Sequence, residues 1–179
     1  MKRIILSALV AMCVLLGAGT TAMAQFETGH SYLGPHIGIS GLGGAVSVGG
    51  DYEYAITKSG DVGSGRIGVG ATFDYFSWSY ADDWSYSVIP LGVFGAYHFN
   101  TSNRAIDPFL GCGLGYFIIN ATWNGNNETG GPRPTASYTS DVYLNLVGGV
   151  RYFITPSFAA QARVGLGATW LSLGATFAL

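Results

Sequence analysis

The sequence predicts an all-β protein, an eight-stranded antiparallel up-and-down transmembrane β-barrel. Three observations predict it. Of 179 residues, 49% are hydrophobic and only 10% are charged, whereas a soluble domain carries roughly a quarter charged residues. Apolar residues recur at every second position in one segment after another, and the 3.6-residue period of a helix is missing. Beyond residue 24 no apolar run is long enough for a membrane helix, so a membrane would have to be crossed by strands.

The same composition excludes other classes. The 28 glycines and 6 prolines follow no Gly-X-Y period, which excludes collagen. An aromatic content of 14% with a net charge of −2 is the reverse of a disordered chain. With 8 basic against 10 acidic residues there is no cationic face for nucleic acid. Two cysteines cannot staple a small secreted scaffold.

Residues 1–24 read as a cleaved export signal. Lys2 and Arg3 form its positive end, 4–16 its apolar stretch, and Ala22-Met23-Ala24 an A-x-A site with cleavage before Gln25. A lipidated Cys13 fits less well, because Met12 is a poor residue before such a cysteine and the apolar run continues through Leu16. Residues 25–179 then form the barrel domain, with Cys112 as its one thiol.

Counted in order, the strands are expected at about 31–40, 45–56, 65–80, 84–99, 108–123, 137–154, 157–168 and 169–179. Each is near or above the ~9–11 residues that a tilted strand needs to cross a bilayer. In the third, Ile67, Val69, Ala71, Phe73 and Tyr75 alternate with Arg66, Gly68, Gly70, Thr72 and Asp74. In the fifth, Leu110, Cys112, Leu114, Tyr116 and Ile118 alternate with Phe109, Gly111, Gly113, Gly115 and Phe117. The sixth sets Val142, Leu144, Leu146, Val150 and Tyr152 against Asp141, Tyr143, Asn145 and Arg151. The seventh sets Ala160, Ala162 and Val164 against Gln161, Arg163 and Gly165, and the eighth sets Leu171, Leu173 and Phe177 against Ser172, Gly174 and Thr176. One face of each can meet lipid and the other cannot.

A sheet in lipid must close so that no edge is left unpaired. An even strand count places both termini on one side, expected to be the periplasm after an export signal. The connectors at 57–64, 100–107 and 155–156 then face the periplasm, and those at 41–44, 81–83, 124–136 and 168–169 face outward. Trp78, Trp84, Trp123 and Trp170 fall at outer strand ends, and Tyr54, Tyr97, Phe99, Tyr152 and Phe158 near inner ends. Aromatic side chains suit both headgroup zones.

On these features the chain resembles the small bacterial outer-membrane β-barrels of the OmpA/OmpX-like type over residues 25–179. The terminal strand 169–179 is similar to the signal read by barrel-assembly machinery, although Phe177 stands two residues before the final Leu179. The resemblance implies a porin-like barrel integral to the outer membrane of a Gram-negative cell envelope. Its implied surroundings are outer-membrane lipid and lipopolysaccharide, with the assembly machinery as a transient partner. It does not imply an activity, because similar barrels serve as anchors, adhesins, ligand carriers and lipid-modifying enzymes.

Strict alternation places Asp51, Glu53, Arg66, Asp74, His98, Asp141, Arg151 and Arg163 inside the barrel. An interior of eight strands is just wide enough for side chains to fill it, so an ion-pair network sealing the lumen is expected. A proton or ion path would need a continuous wet gap; glycines 68, 70, 111, 113, 115, 149, 165 and 167 leave that room or make space for large side chains opposite. The same parity turns Phe76, Trp78, Phe94, Phe117, Ile119, Trp123 and Trp170 inward, as an apolar cup for a small hydrophobic ligand. One β-bulge per strand would instead turn the tryptophans onto the lipid girdle.

Catalysis is not expected. Deacylases on such barrels pair a Ser with a His near the outer rim. His30, His36 and His98 offer no such pair, and His98 lies by a periplasmic turn. No metal site and no cofactor is expected; Asp82-Asp83 reads as a solvated acidic tip, and Cys112 faces lipid. A closed barrel is self-sufficient, so a monomer is expected. The leading expectation is a structural role in envelope integrity or loop display. The alternative is a carrier or narrow channel for small hydrophobic molecules. A soluble lipocalin-like barrel would need the opposite placement, with an apolar lumen and a charged exterior.

Overall fold

A computed structural model describes residues 26–80, 84–125 and 139–179. The expected leader at 1–24, the Asp82-Asp83 tip and most of the 124–136 connector lie outside the described residues. The strands are β1 (Ser31–Ser40), β2 (Val46–Ala55), β3 (Arg66–Tyr80), β4 (Trp84–His98), β5 (Ile106–Trp123), β6 (Asp141–Thr155), β7 (Phe158–Leu166) and β8 (Thr169–Ala178). Each pairs antiparallel with the next, and β1 pairs with β8 to close the barrel.

One boundary differs in a way that matters. β5 begins at Ile106, ahead of the expected 108. Asp107-Pro108 reads as turn chemistry, but Pro108 needs no amide donor here. It pairs with Val150 and accepts from the Phe99 amide at 2.9 Å. Asp107 therefore lies on a strand, opposite Arg151.

The two faces of the sheet separate cleanly by polarity. No Asp, Glu, Lys or Arg lies on the outward face of the described strands. Leu110, Val142 and Val164 there are 61 to 62% exposed, while Glu53 and Arg151 on the inner face are at 1% or less. This is the reverse of a soluble barrel and is the arrangement that lipid requires.

Inside, large side chains sit opposite glycines. The register sets Asp51 against Gly34, Asp74 against Gly49, His36 against Gly174, Phe94 against Gly70, Phe109 against Gly149 and Tyr143 against Gly115. A Cβ on Gly34 would lie 2.6 Å from Asp51 Oδ1, and one on Gly149 2.6 Å from Phe109 Cζ. Glycine at these places lets a long side chain lie flat across its neighbour, so large side chains fit the narrow interior.

One irregularity reverses a side chain. Ile39 pairs with Leu171 but Ser40 pairs with Thr169, so β8 carries one extra residue at Trp170. Thr169 thereby shares the inner face with buried Ser40, and Trp170 is turned outward at 56% exposure. Trp170 is thus not part of an inner cup: the bulge overrides simple alternation.

Candidate functional site

The lumen contains two clusters of ionisable side chains. The cluster nearer the termini is a ring of four. His98 places Nε2 2.8 Å from Glu53 Oε1 and Nδ1 2.9 Å from Asp107 Oδ1. Arg151 closes the ring, donating from Nη2 to Glu53 Oε2 and lying 3.7 Å from Asp107 Oδ2 through Nη1. The Arg151 guanidinium also lies 5.0 to 5.6 Å from the ring centres of Phe109, Phe26 and Tyr32. Aromatic faces supply attraction to a cation where water is excluded.

The second cluster lies deeper in the barrel. Arg163 Nη1 is 2.9 Å from Asp51 Oδ1, and His36 Nε2 is 3.0 Å from Asp74 Oδ1. Arg163 Nη2 approaches His36 Nδ1 at 2.7 Å, and its Nε donates to Ser172 Oγ at 3.3 Å. Gln161 joins the clusters. Its Oε1 accepts from Arg151 Nε at 2.9 Å and Thr176 Oγ1 at 2.8 Å, while its Nε2 donates to Asp51 Oδ1 at 3.4 Å. Every strand from β1 to β8 contributes at least one side chain to this assembly. Buried charges are costly when alone and tolerable when paired and hydrogen-bonded, and here each carboxylate and guanidinium has an ionisable partner.

Of the residues that alternation placed inside, Asp51, Glu53, Asp74, His98, Arg151 and Arg163 meet in this assembly. Arg66 and Asp141 do not. Arg66 is half-buried at the terminus end and makes no ion pair among the described residues. Asp141 starts β6 at the far end, where it is exposed and accepts from the Val142 amide at 2.7 Å. Alternation fixes a face but not a depth, and both residues stand where water reaches them. His36, Asp107 and Gln161 are members that the sequence reading did not single out.

Toward the far end the lumen is aromatic. Phe76, Trp78 and Tyr86 stack in series at 6.0 and 5.0 Å, Trp84 lies 5.9 Å from Tyr86, and Trp123 meets Trp84 edge-on at 5.3 Å. Phe117 stacks on Tyr143 at 4.3 Å, while Phe94 sits lower, packed with Phe109. Trp84, assigned above to the girdle, is half-buried within this stack. Gly43, with φ +65°, holds the β1–β2 turn over Trp78, where a Cβ would lie 2.7 Å from the indole. Between this layer and the charge clusters is a cavity of about 30 Å³ lined in part by Thr72, Asp74, Tyr143, Asn145, Arg163 and Thr169. That is room for about two water molecules. Neither His36 nor His98 is hydrogen-bonded to a Ser, Thr or Cys side chain among the described residues.

No protein-family model and no curated protein matches the chain. Solved structures do share the fold. The outer-membrane protein OprG of Pseudomonas aeruginosa is 11% identical, with a TM-score of 0.62 over 87% of this chain and 98% of that one. The N-terminal β-barrel domain of Pseudomonas aeruginosa OprF is 18% identical, with a TM-score of 0.57 over 85% and 98%. Ail, the attachment invasion locus protein of Yersinia pestis, is 15% identical, with a TM-score of 0.55 over 86% and 100%. The chain therefore has the fold of the small eight-stranded outer-membrane barrels. At such identities the likeness carries the architecture alone.

Proposed function

We propose that the protein is an integral outer-membrane barrel with a closed lumen, and that it serves envelope integrity or presents its outward connectors. The observation that carries this reading is the lumen assembly, in which all eight strands tie charged and polar side chains across the interior. Such cross-links resist both water entry and shearing of the sheet. The outward face, free of charge among the described strands, suits lipid and the acyl chains of lipopolysaccharide. Assembly machinery would engage β8 as the closing strand, and a closed barrel needs no second copy. Stacking of Trp78, Tyr86, Trp84 and Trp123 on one another weighs against the carrier reading, because the rings that would grip a ligand already grip each other.

Single-channel recording of the refolded protein in a planar bilayer tests this function. Silence is expected. Steady conductance, altered by Arg151→Ala or Arg163→Ala, would mean that water runs past those arginines and would replace the closed-lumen reading with a narrow pore.

A further inference from the structure

Phe26 precedes the first strand, yet it is only 1% exposed. Among the described residues it is the one side chain larger than alanine that comes from outside the strands and is buried. Its ring lies parallel to the His98 imidazole at 3.6 Å and 6°, and stacks on Tyr32 at 4.8 Å. Arg151 approaches the same ring at 5.6 Å. Gly68 clears the remaining space, since a Cβ there would lie 2.6 Å from Phe26 Cζ. Around the seat, Ala55, Phe153 and Ala159 complete a small apolar cluster at the strand ends. The ring thus caps the Glu53–His98–Asp107–Arg151 group from the terminus end of the barrel.

We propose that Phe26 is a stopper that closes the terminus end of the lumen and can withdraw without opening the barrel. The inference rests on the closed-lumen reading above. The segment bearing the ring has no strand ladder. It is tied by the Glu27 amide donating to Tyr32 Oη at 2.7 Å, Thr28 Oγ1 donating to the Thr57 carbonyl at 2.6 Å, the Gly29 amide donating to the Ala55 carbonyl at 2.9 Å, the Ala55 amide donating to the His30 carbonyl at 3.1 Å and the His30 amide donating to the Glu27 carbonyl at 3.2 Å. A few local bonds open at lower free energy than a closed sheet. With the ring withdrawn, the His98 face and the Arg151 guanidinium meet water. With it seated, the charges nearest the termini are covered by hydrocarbon.

The test places a thiol under the ring. In a Cys112→Ser background, Ala159→Cys is introduced and the barrel is refolded into lipid vesicles. A small charged methanethiosulfonate reagent then reports access. With Phe26 present, labelling at position 159 is slow. Phe26→Ala accelerates it roughly tenfold or more, whereas Phe26→Leu keeps the slow rate because an apolar side chain still fills the seat. Equal rates with Phe26 and Phe26→Ala would overturn the proposal, as would fast labelling with Phe26 in place. Ala55→Cys repeats the measurement if Ala159→Cys does not fold. Conductance of the unaltered protein tests the closed-lumen reading separately. A conducting barrel in which position 159 stays protected would overturn both, because ions would be passing the seated ring, whereas a silent barrel in which position 159 labels fast would overturn the stopper alone.

Discussion

Arg151 of β6 and Glu53 of β2 meet across the lumen although 98 positions separate them in the chain. Both are fully buried, so the pair exchanges two large desolvation costs for one short contact. Removing Arg151 leaves Glu53 with His98 alone and takes the guanidinium away from Asp107 as well. Arg151→Met is expected to destabilise the barrel by about 3–5 kcal/mol. Adding Glu53→Gln should recover part of that loss, because one carboxylate no longer lacks its cation. Urea unfolding in lipid vesicles measures both; a double variant as unstable as the sum of the single variants would show that the two side chains act independently.

Gln161 is uncharged, yet it holds the two charge clusters in one assembly. Gln161→Leu removes its bonds to Arg151, Thr176 and Asp51 at a site only 4% exposed. A loss of about 1–3 kcal/mol is expected from the partners left unmet. Gln161→Glu distinguishes bonding from filling, since it keeps the acceptor for Arg151 but loses the donor to Asp51. Its unfolding midpoint should fall between those of the parent and Gln161→Leu.

Much of this architecture is legible in the residues themselves. Alternation in β3 and β5 to β8 sorts lipid-facing from lumen-facing side chains because a closed sheet in lipid tolerates no error on its outer face. The misses have specific causes. Asp107 is hidden by Pro108, although extending the inward parity of Phe109 and Gly111 by one step reaches it. Gln161 stands two residues before Arg163 on the same face but carries no charge to draw notice. Phe26 lies outside any strand, so periodicity says nothing of it. For Trp170 the sequence leaves two placements open, inner cup or lipid girdle, and the bulge on β8 selects the outward one.

The glycine seats give a sharper test of packing than the charges do. A Cβ on Gly115 would clash with Cζ and Cε1 of Tyr143, directly opposite on β6. Gly115→Ala is therefore expected to cost about 1–3 kcal/mol through overpacking, although alanine suits a strand at least as well as glycine. Tyr143→Val in the same chain should relieve the clash. If Gly115→Ala proves neutral in urea unfolding, the ring moves freely and the seat is not a tight joint.

The tryptophans separate lumen from lipid directly. Trp170 is exposed on the outer face, whereas Trp78, Trp84 and Trp123 are half-buried in the inner stack. Bromine on a lipid acyl chain quenches only indoles that it can approach, so most quenching in brominated vesicles should come from Trp170. Trp170→Phe is expected to abolish most of it, and Trp78→Phe, Trp84→Phe or Trp123→Phe to leave it nearly intact. The opposite result would mean that β8 lacks its bulge and that Trp170 points inward. Thr169 would then leave the cavity wall beside Asp74 and Arg163, and the aromatic layer would have to take in a further indole. The bulge thus decides both the lipid anchor on β8 and the filling of the lumen's far end.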